Sequence, residues 1–150
     1  MKLRIPPPVI GLLIGIGMVG IAQSTGSSNW ATGMRLVLGV LIASLGLAID
    51  IISVVKFFKA KTTVNPLSPD KSSVLVTNGL YRFSRNPMYL GMLLILTGWA
   101  FIIGSLFNLP LLAFFVVLIN ELQIKPEEAV LRDLFPDDYP AYCQRVRRWL

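Results

Sequence analysis

No histidine and only one cysteine, Cys143, occur in these 150 residues. The first absence removes the commonest general base and the commonest metal ligand; the second excludes an intramolecular disulfide. Any catalyst here works with carboxylates, tyrosine, arginine, amides or backbone. Charge is also scarce. Charged residues make up 15% of the chain against 54% hydrophobic, where a soluble domain carries roughly 25% charged residues. The acids are outnumbered, 8 against 14 Lys and Arg, giving a net +6. Long uncharged stretches separate the basic residues, which argues against nucleic acid and for anionic lipid headgroups as their partner. There is no internal repeat and no low-complexity segment.

What is present is apolar sequence in lengths that suit a bilayer, whose core takes about 20 residues of helix. The composition therefore predicts an all-α, polytopic membrane protein of about four spans, at 5–22, 36–55, 88–107 and 110–122, forming one domain. Asp50 alone interrupts the second span, and the third carries no charge. Only Asn108 and Leu109 precede Pro110, so the last two spans form a tight hairpin, turning as early as Gly104-Ser105. Lys2 and Arg4 before the run Val9 to Ala22 imitate a secretory leader. Pro6 to Pro8 and the later spans favour a first span that is kept.

Basic residues flanking spans are retained on the cytoplasmic side. Lys2 and Arg4 precede the first span, Lys56 to Arg85 lie between the second and third, and Lys125 to Arg148 follow the fourth. Only Arg35 falls in an outward connection. Both termini, the loop 56–87 and the tail 123–150 are thus expected in the cytoplasm, with the protein in the cell membrane. Nearly all the chemistry-bearing side chains lie in that loop and tail.

The loop offers a short strand at Ser73 to Val76 and a turn at Asn78-Gly79. The tail reads as two short helices. Pro126, Glu127 and Glu128 suit a helix start, and Val130, Leu131, Leu134 and Phe135 give it an apolar face. In the second helix, Tyr139, Tyr142, Val146 and Trp149 beside Arg145, Arg147 and Arg148 form an interfacial pattern. Trp30, Trp99 and Trp149 read as anchors at the membrane surface, and Gly11, Gly15, Gly17 and Gly20 as ordinary close packing. Cys143 reads as inert. Asp50 sits about 9 Å along the helix from Lys56; it reads either as part of a substrate or proton path or, being shallow, as a hydrogen-bonded acid near the interface, which is the reading favoured.

The densest constellation is Leu75-Val76-Thr77-Asn78-Gly79-Leu80-Tyr81, then Ser84-Arg85-Asn86-Pro87-Met88-Tyr89-Leu90-Gly91 where the chain re-enters the membrane. Structurally this is a turn, an interfacial Arg and Tyr, and a proline opening a helix. Functionally, a helix start presents backbone N–H groups and a positive dipole end to an anion, and Arg85 adds a charge-assisted partner.

With the basic Phe57 to Pro66 stretch before it and the tail E-E-x-x-L-x-x-x-F-x-x-x-Y-x-x-Y-x-x-x-V after it, this order resembles the isoprenylcysteine carboxyl methyltransferases and phosphatidylethanolamine methyltransferases. The likeness runs from about Phe57 to Leu150. It implies a membrane-embedded methyltransferase with S-adenosylmethionine as cofactor. Matched position by position, that cofactor meets Ser73, Val74, Leu75, Val76, Tyr81, Asn86, Pro87, Met88, Tyr89 and Glu127. The implied partners are the bilayer and a lipid-like or prenylated acceptor, with no metal and no nucleic acid.

Two positions depart from many relatives. Asn86 stands where they have His, so no imidazole base exists there. Gln123 stands where the prenylcysteine enzymes place an Arg on the substrate carboxylate, which weakens a prenylcysteine reading and leaves Gln123 as the candidate substrate residue. Methyl transfer is an in-line displacement driven by positioning in a dry pocket. A carboxylate acceptor needs no base, whereas an amine or thiol must first lose a proton. Glu127, Glu128, Tyr89 and Arg85 are the catalytic candidates, with Glu121 a further acid. Alternatives are a phospholipid-amine or small-thiol methyltransferase, a membrane reductase of related architecture, and, from another class, a small proton-coupled transporter.

Overall fold

The computed structural model describes residues 5–27, 31–59 and 74–150. These residues form six helices and no strand: α1 (Pro7–Thr25), α2 (Thr32–Lys59), α3 (Pro87–Ile103), α4 (Leu109–Ile119), α5 (Lys125–Leu134) and α6 (Asp138–Arg145). A 3-10 turn, Gly79–Arg82, precedes α3, and another, Leu106–Asn108, joins α3 to α4. Prolines occupy the first turn of α1, α3, α4 and α5. There a missing N–H costs nothing and the fixed φ favours helix.

Three helical stretches are long and apolar enough to cross a membrane, Pro7–Thr25, Thr32–Lys56 and Leu106–Leu134, and Pro87–Ile103 is a shorter apolar helix. The architecture is that of a polytopic membrane protein. The fourth rod is longer than the sequence pattern predicts. No break separates span from tail at 122, because a π-helical turn, Asn120–Ile124, carries α4 directly into α5.

The central helix is α3, which packs α2 on one side and α1 and α4 on the other. Ile10, Ile14 and Met18 on α1 meet Leu96 and Ala100 on α3 and Phe115 and Ile119 on α4. Outward residues such as Leu12, Leu13 and Ile16 are about as apolar as the core and remain exposed. Lipid is as apolar as leucine, so packing rather than hydrophobicity holds such helices together.

Packing is closest between α2 and α3, which run antiparallel with two glycines seven residues apart on each. Gly39 faces Gly98 and Gly46 faces Gly91. A Cβ on Gly39 would lie 2.8 Å from the Gly98 carbonyl oxygen, and one on Gly46 2.5 Å from that of Gly91. The glycines of α1 are looser: Gly15 has only ordinary contacts and Gly20 has open space.

The hairpin turns at Gly104, in the left-handed conformation (φ 75°, ψ 29°), as its position predicts. Arg35 is not a loop residue. It lies in the first turn of α2, buried, and its guanidinium Nη1 donates to the Ile103 carbonyl at 3.4 Å. A cation there complements the negative end of the α3 dipole.

The expected strand at Ser73 to Val76 is not formed over Val74 to Val76, where the chain is irregular and, among the described residues, no strand is present to pair with it; Ser73 lies outside the described residues. The interfacial reading of the tail also needs correction. Tyr139, Tyr142 and Val146 are buried against Leu75, Leu131, Phe135 and Cys143, so their rings make a small core of their own instead of lying in headgroups. Trp149 packs on the main core and donates its indole N–H to Asn120 Oδ1 at 3.2 Å. Trp99 is partly exposed and donates to the Gly15 carbonyl at 3.2 Å, while Trp30 lies outside the described residues.

Candidate active site

The polar end of the bundle is assembled by the last residues of the chain, which lie along the start of α3. The Arg85 N–H donates to the Arg147 carbonyl at 3.0 Å, and the Asn86 side-chain amide donates to the Arg148 carbonyl at 2.9 Å. Ser84, 1% exposed, donates weakly to the same carbonyl at 3.4 Å and accepts the Asn86 backbone N–H at 3.1 Å. The Asn86 amide donor is therefore engaged by the tail.

Consecutive residues on a helix point about 100° apart, and α5 uses that to separate its two acids. Glu128 is 6% exposed and receives both flanking cations. Arg148 approaches it in fork geometry, Nε to Oε1 at 3.0 Å and Nη2 to Oε2 at 2.7 Å, and Arg85 Nη2 lies 3.2 Å from Oε1. The Arg85 guanidinium also contacts the Cys143 sulfur, so Cys143 belongs to this cluster. The Glu128 hydrogen bond holds the Arg148 guanidinium pKa above its ordinary value.

Glu127 faces the other way, into the bundle end. Tyr89 donates its phenol to Glu127 Oε1 at 2.6 Å, tying α3 to α5. Tyr81, 5% exposed, stands nearby in the 3-10 turn. Its hydroxyl shares a hydrogen bond with Ser53 of α2, and its carbonyl accepts the Tyr142 phenol at 2.6 Å. Burial pushes the Tyr81 phenol pKa well above its ordinary value, with Tyr142, Glu127 and Asp50 adding to the rise.

Of the residues expected at the cofactor, the structure brings Tyr81 and Tyr89 to Glu127 and Asn86 to the tail at the start of α3, while Leu75 packs against Tyr139 and Tyr142, Val76 is buried and Val74 is exposed. Gln123 stands apart. It is 2% exposed and donates to the Ile5 carbonyl at 2.6 Å, fastening the start of α1 to the π-helical turn. Glu121 pairs with Lys125 on the exposed surface. Two residues of α2 that the motifs do not include, Asp50 and Ser53, also reach the site. Their signal was faint: Asp50 is the one acid inside the first three expected spans, and Ser53 follows it by about one turn. Among the described residues, no three acidic, Cys or His side chains gather as a metal site would need.

Comparison with known proteins gives the family. The family profile described as phospholipid methyltransferase matches residues 34–138, from α2 through the start of α6. The chain belongs to that family. Membership supports a membrane methyltransferase and implies S-adenosylmethionine as methyl donor. An uncharacterized protein of Haemophilus influenzae is 43% identical over 63 residues, 42% of this chain and all of that protein. A Protein-S-isoprenylcysteine O-methyltransferase of Schizosaccharomyces pombe is 34% identical over 82 residues, covering 51% of this chain and 33% of that enzyme. The chain thus matches only about a third of the length of the relative whose activity is named. No solved structure matches.

Proposed function

We propose that this chain transfers a methyl group from S-adenosylmethionine to an amphiphilic acceptor at the cytoplasmic face of the cell membrane, with both termini in the cytoplasm. The observation that carries the reading is the Tyr89–Glu127 hydrogen bond of 2.6 Å, which joins the two motif-bearing helices at the polar end of an otherwise apolar bundle.

The residues present fit the donor. The start of α3 has no side-chain cap, so its first N–H groups and dipole suit the carboxylate of an amino acid. Glu127 suits an ammonium or a ribose hydroxyl, and Leu75, Val76 and Met88 give apolar surface for an aromatic base. When bound, the donor supplies an electrophilic methyl on a sulfonium. The protein's own part is to fix the line of attack and exclude water. Tyr89 holds Glu127 in place, and the tail is fastened along the start of α3. Glu128 and Arg85 neutralise each other and act on the structure of the site, which leaves Glu127 and Tyr89 as its chemical pair. The acceptor approaches laterally from the bilayer, between apolar helices.

Calorimetric titration of the detergent-purified chain with S-adenosylmethionine or its demethylated product tests the reading. Saturable binding, weakened by Glu127→Ala and Tyr89→Phe, is the expected result. A folded sample that binds neither compound overturns it.

A further inference from the structure

Two large apolar side chains are left uncovered at the polar end of the bundle. Phe83, four residues before Pro87 opens α3, is 72% exposed, and Leu150, just after Trp149, is 70% exposed. An exposed ring beside the end of a span is poorly placed in water and well placed at the boundary between headgroups and acyl chains. Both residues lie where two segments of the chain meet. The Arg85 N–H donates to the Arg147 carbonyl, and the Ser84 and Asn86 side chains donate to that of Arg148, so residues 82–86 run beside 147–150.

The cations at this end divide into two groups. Arg85 and Arg148 are committed to Glu128, and Arg145 Nε donates to the Ala141 carbonyl of its own helix at 3.3 Å. Arg82 and Arg147 are exposed and, among the described residues, enter no ion pair. The tail is also polarised in charge. Asp137 and Asp138 stand at the start of α6, whereas Arg145 and Arg147 stand at its end. From Glu128, α5 runs six residues further to Leu134, about 9 Å, before the chain turns back. Thus α6 begins away from the bundle and ends against the start of the apolar helix α3. Its acidic end is distal to the membrane and its basic end proximal, which is the gradient that a negatively charged headgroup layer complements.

We infer that Arg82, Phe83 and Arg147 form a seat for anionic phospholipid of the adjoining leaflet, and that this contact presses the tail against the start of α3. The guanidinium groups take the headgroup phosphates and the Phe83 ring enters the acyl boundary. Leaflet charge thereby sets how firmly the tail is held. The lipid is bound and no bond in it changes, so the seat is independent of the methyltransferase reading and its test needs no donor.

Amide hydrogen exchange over 141–150 is followed by mass spectrometry on the full chain in two kinds of nanodisc, one of phosphatidylcholine and one of equal parts phosphatidylcholine and phosphatidylglycerol. Each cation near an anionic leaflet contributes about fivefold in binding, so wild-type exchange is expected to be slower by about fivefold or more in the anionic discs. The double variant Arg82→Gln, Arg147→Gln should match wild type in phosphatidylcholine, which shows that it is folded, and lose the difference between the two lipids. Arg132→Gln, which removes an exposed cation near the acids of the tail, should keep the difference in full. Equal wild-type exchange in the two lipids overturns the inference without recourse to any variant. So does a difference that survives in the double variant or survives undiminished in Phe83→Ser. A difference abolished equally by Arg132→Gln overturns it too, since any cation of the tail would then serve. Protection given in phosphatidylcholine discs by inorganic phosphate alone assigns the arginines to a free anion and removes the bilayer from the inference.

Discussion

The Tyr142 phenol donates to the backbone carbonyl of Tyr81 at 2.6 Å, across 61 residues of sequence and with both groups buried. Through this bond the tail helix α6 reaches the turn that carries a site residue. The Tyr139 ring lies beside it, 6.3 Å between centroids and tilted by 58°. Together with the Arg147 and Arg148 carbonyls, it makes the end of the chain a strap over the site.

Tyr142→Phe keeps the ring and removes the donor, leaving the Tyr81 carbonyl buried without it. A loss of about 1–3 kcal/mol is expected from an unsatisfied buried acceptor. The thermal unfolding midpoint in detergent should fall and S-adenosylmethionine affinity should weaken with it, because Tyr81 is held from both sides. A variant as stable and as tight-binding as wild type would show that the strap is not required.

Glu127 and Glu128 are neighbours with opposite tasks. Glu128→Gln leaves the Arg85 and Arg148 guanidinium groups facing a neutral amide at a site that is 8% exposed on the acid side. Breaking one partner of a buried ion pair costs about 3 kcal/mol or more, so this variant should express poorly and unfold early. Glu127→Gln should fold normally and lose donor affinity and turnover. Unfolding midpoints and calorimetry on the two proteins distinguish these outcomes, and the reverse pattern would exchange their roles.

Much of this was legible in the sequence because the bilayer fixes it. Span number, hairpin position and the helix starts follow from apolar length and from where prolines fall. The motifs at the start of α3 and on α5 were readable as a set, and the Tyr89–Glu127 hydrogen bond brings two of their residues together. What the pattern does not carry is which face of a short helix turns inward. Tyr139 and Tyr142 satisfy an amphipathic rule equally well against lipid or against Leu131 and Phe135. The neighbouring acids of α5 are alike as letters and differ only in what the fold brings to each. The π-helical turn at Asn120–Ile124 is equally silent, because nothing in those five residues forbids an ordinary α-helix.

The paired glycines of α2 and α3 carry a sharp expectation. With Gly98 against the Gly39 carbonyl, and Gly91 against the Gly46 carbonyl as well as the Asp50 carboxylate, backbone that cannot yield blocks a side chain at either position. Gly98→Val or Gly91→Val should therefore push α2 away from α3 and abolish a monodisperse detergent-purified species. Gly20→Ala, which faces open space, should be silent. Size-exclusion profiles of the three proteins check this, and a well-behaved Gly98→Val would mean the helices are not in backbone contact.

Alkaline pH should loosen the tail before it dissolves the bundle. Burial holds the Tyr81, Tyr139 and Tyr142 phenol pKa values well above their ordinary value of 10.0. Below pH 10 both folded and unfolded chains keep these phenols protonated, so they cost nothing. As pH rises past 10, the unfolded chain ionises and the folded one does not, which favours unfolding by about 1.4 kcal/mol per tyrosine per pH unit. Because Tyr139 and Tyr142 lie on α6 and the Tyr142 phenol holds the Tyr81 carbonyl, that penalty falls on the strap. Tyrosinate absorbance should therefore appear above pH 10 in one cooperative step, coincident with loss of donor binding, while the helical circular dichroism of the apolar rods persists. Gradual titration centred at 10 would mean that the phenols are in water and that α6 is not docked.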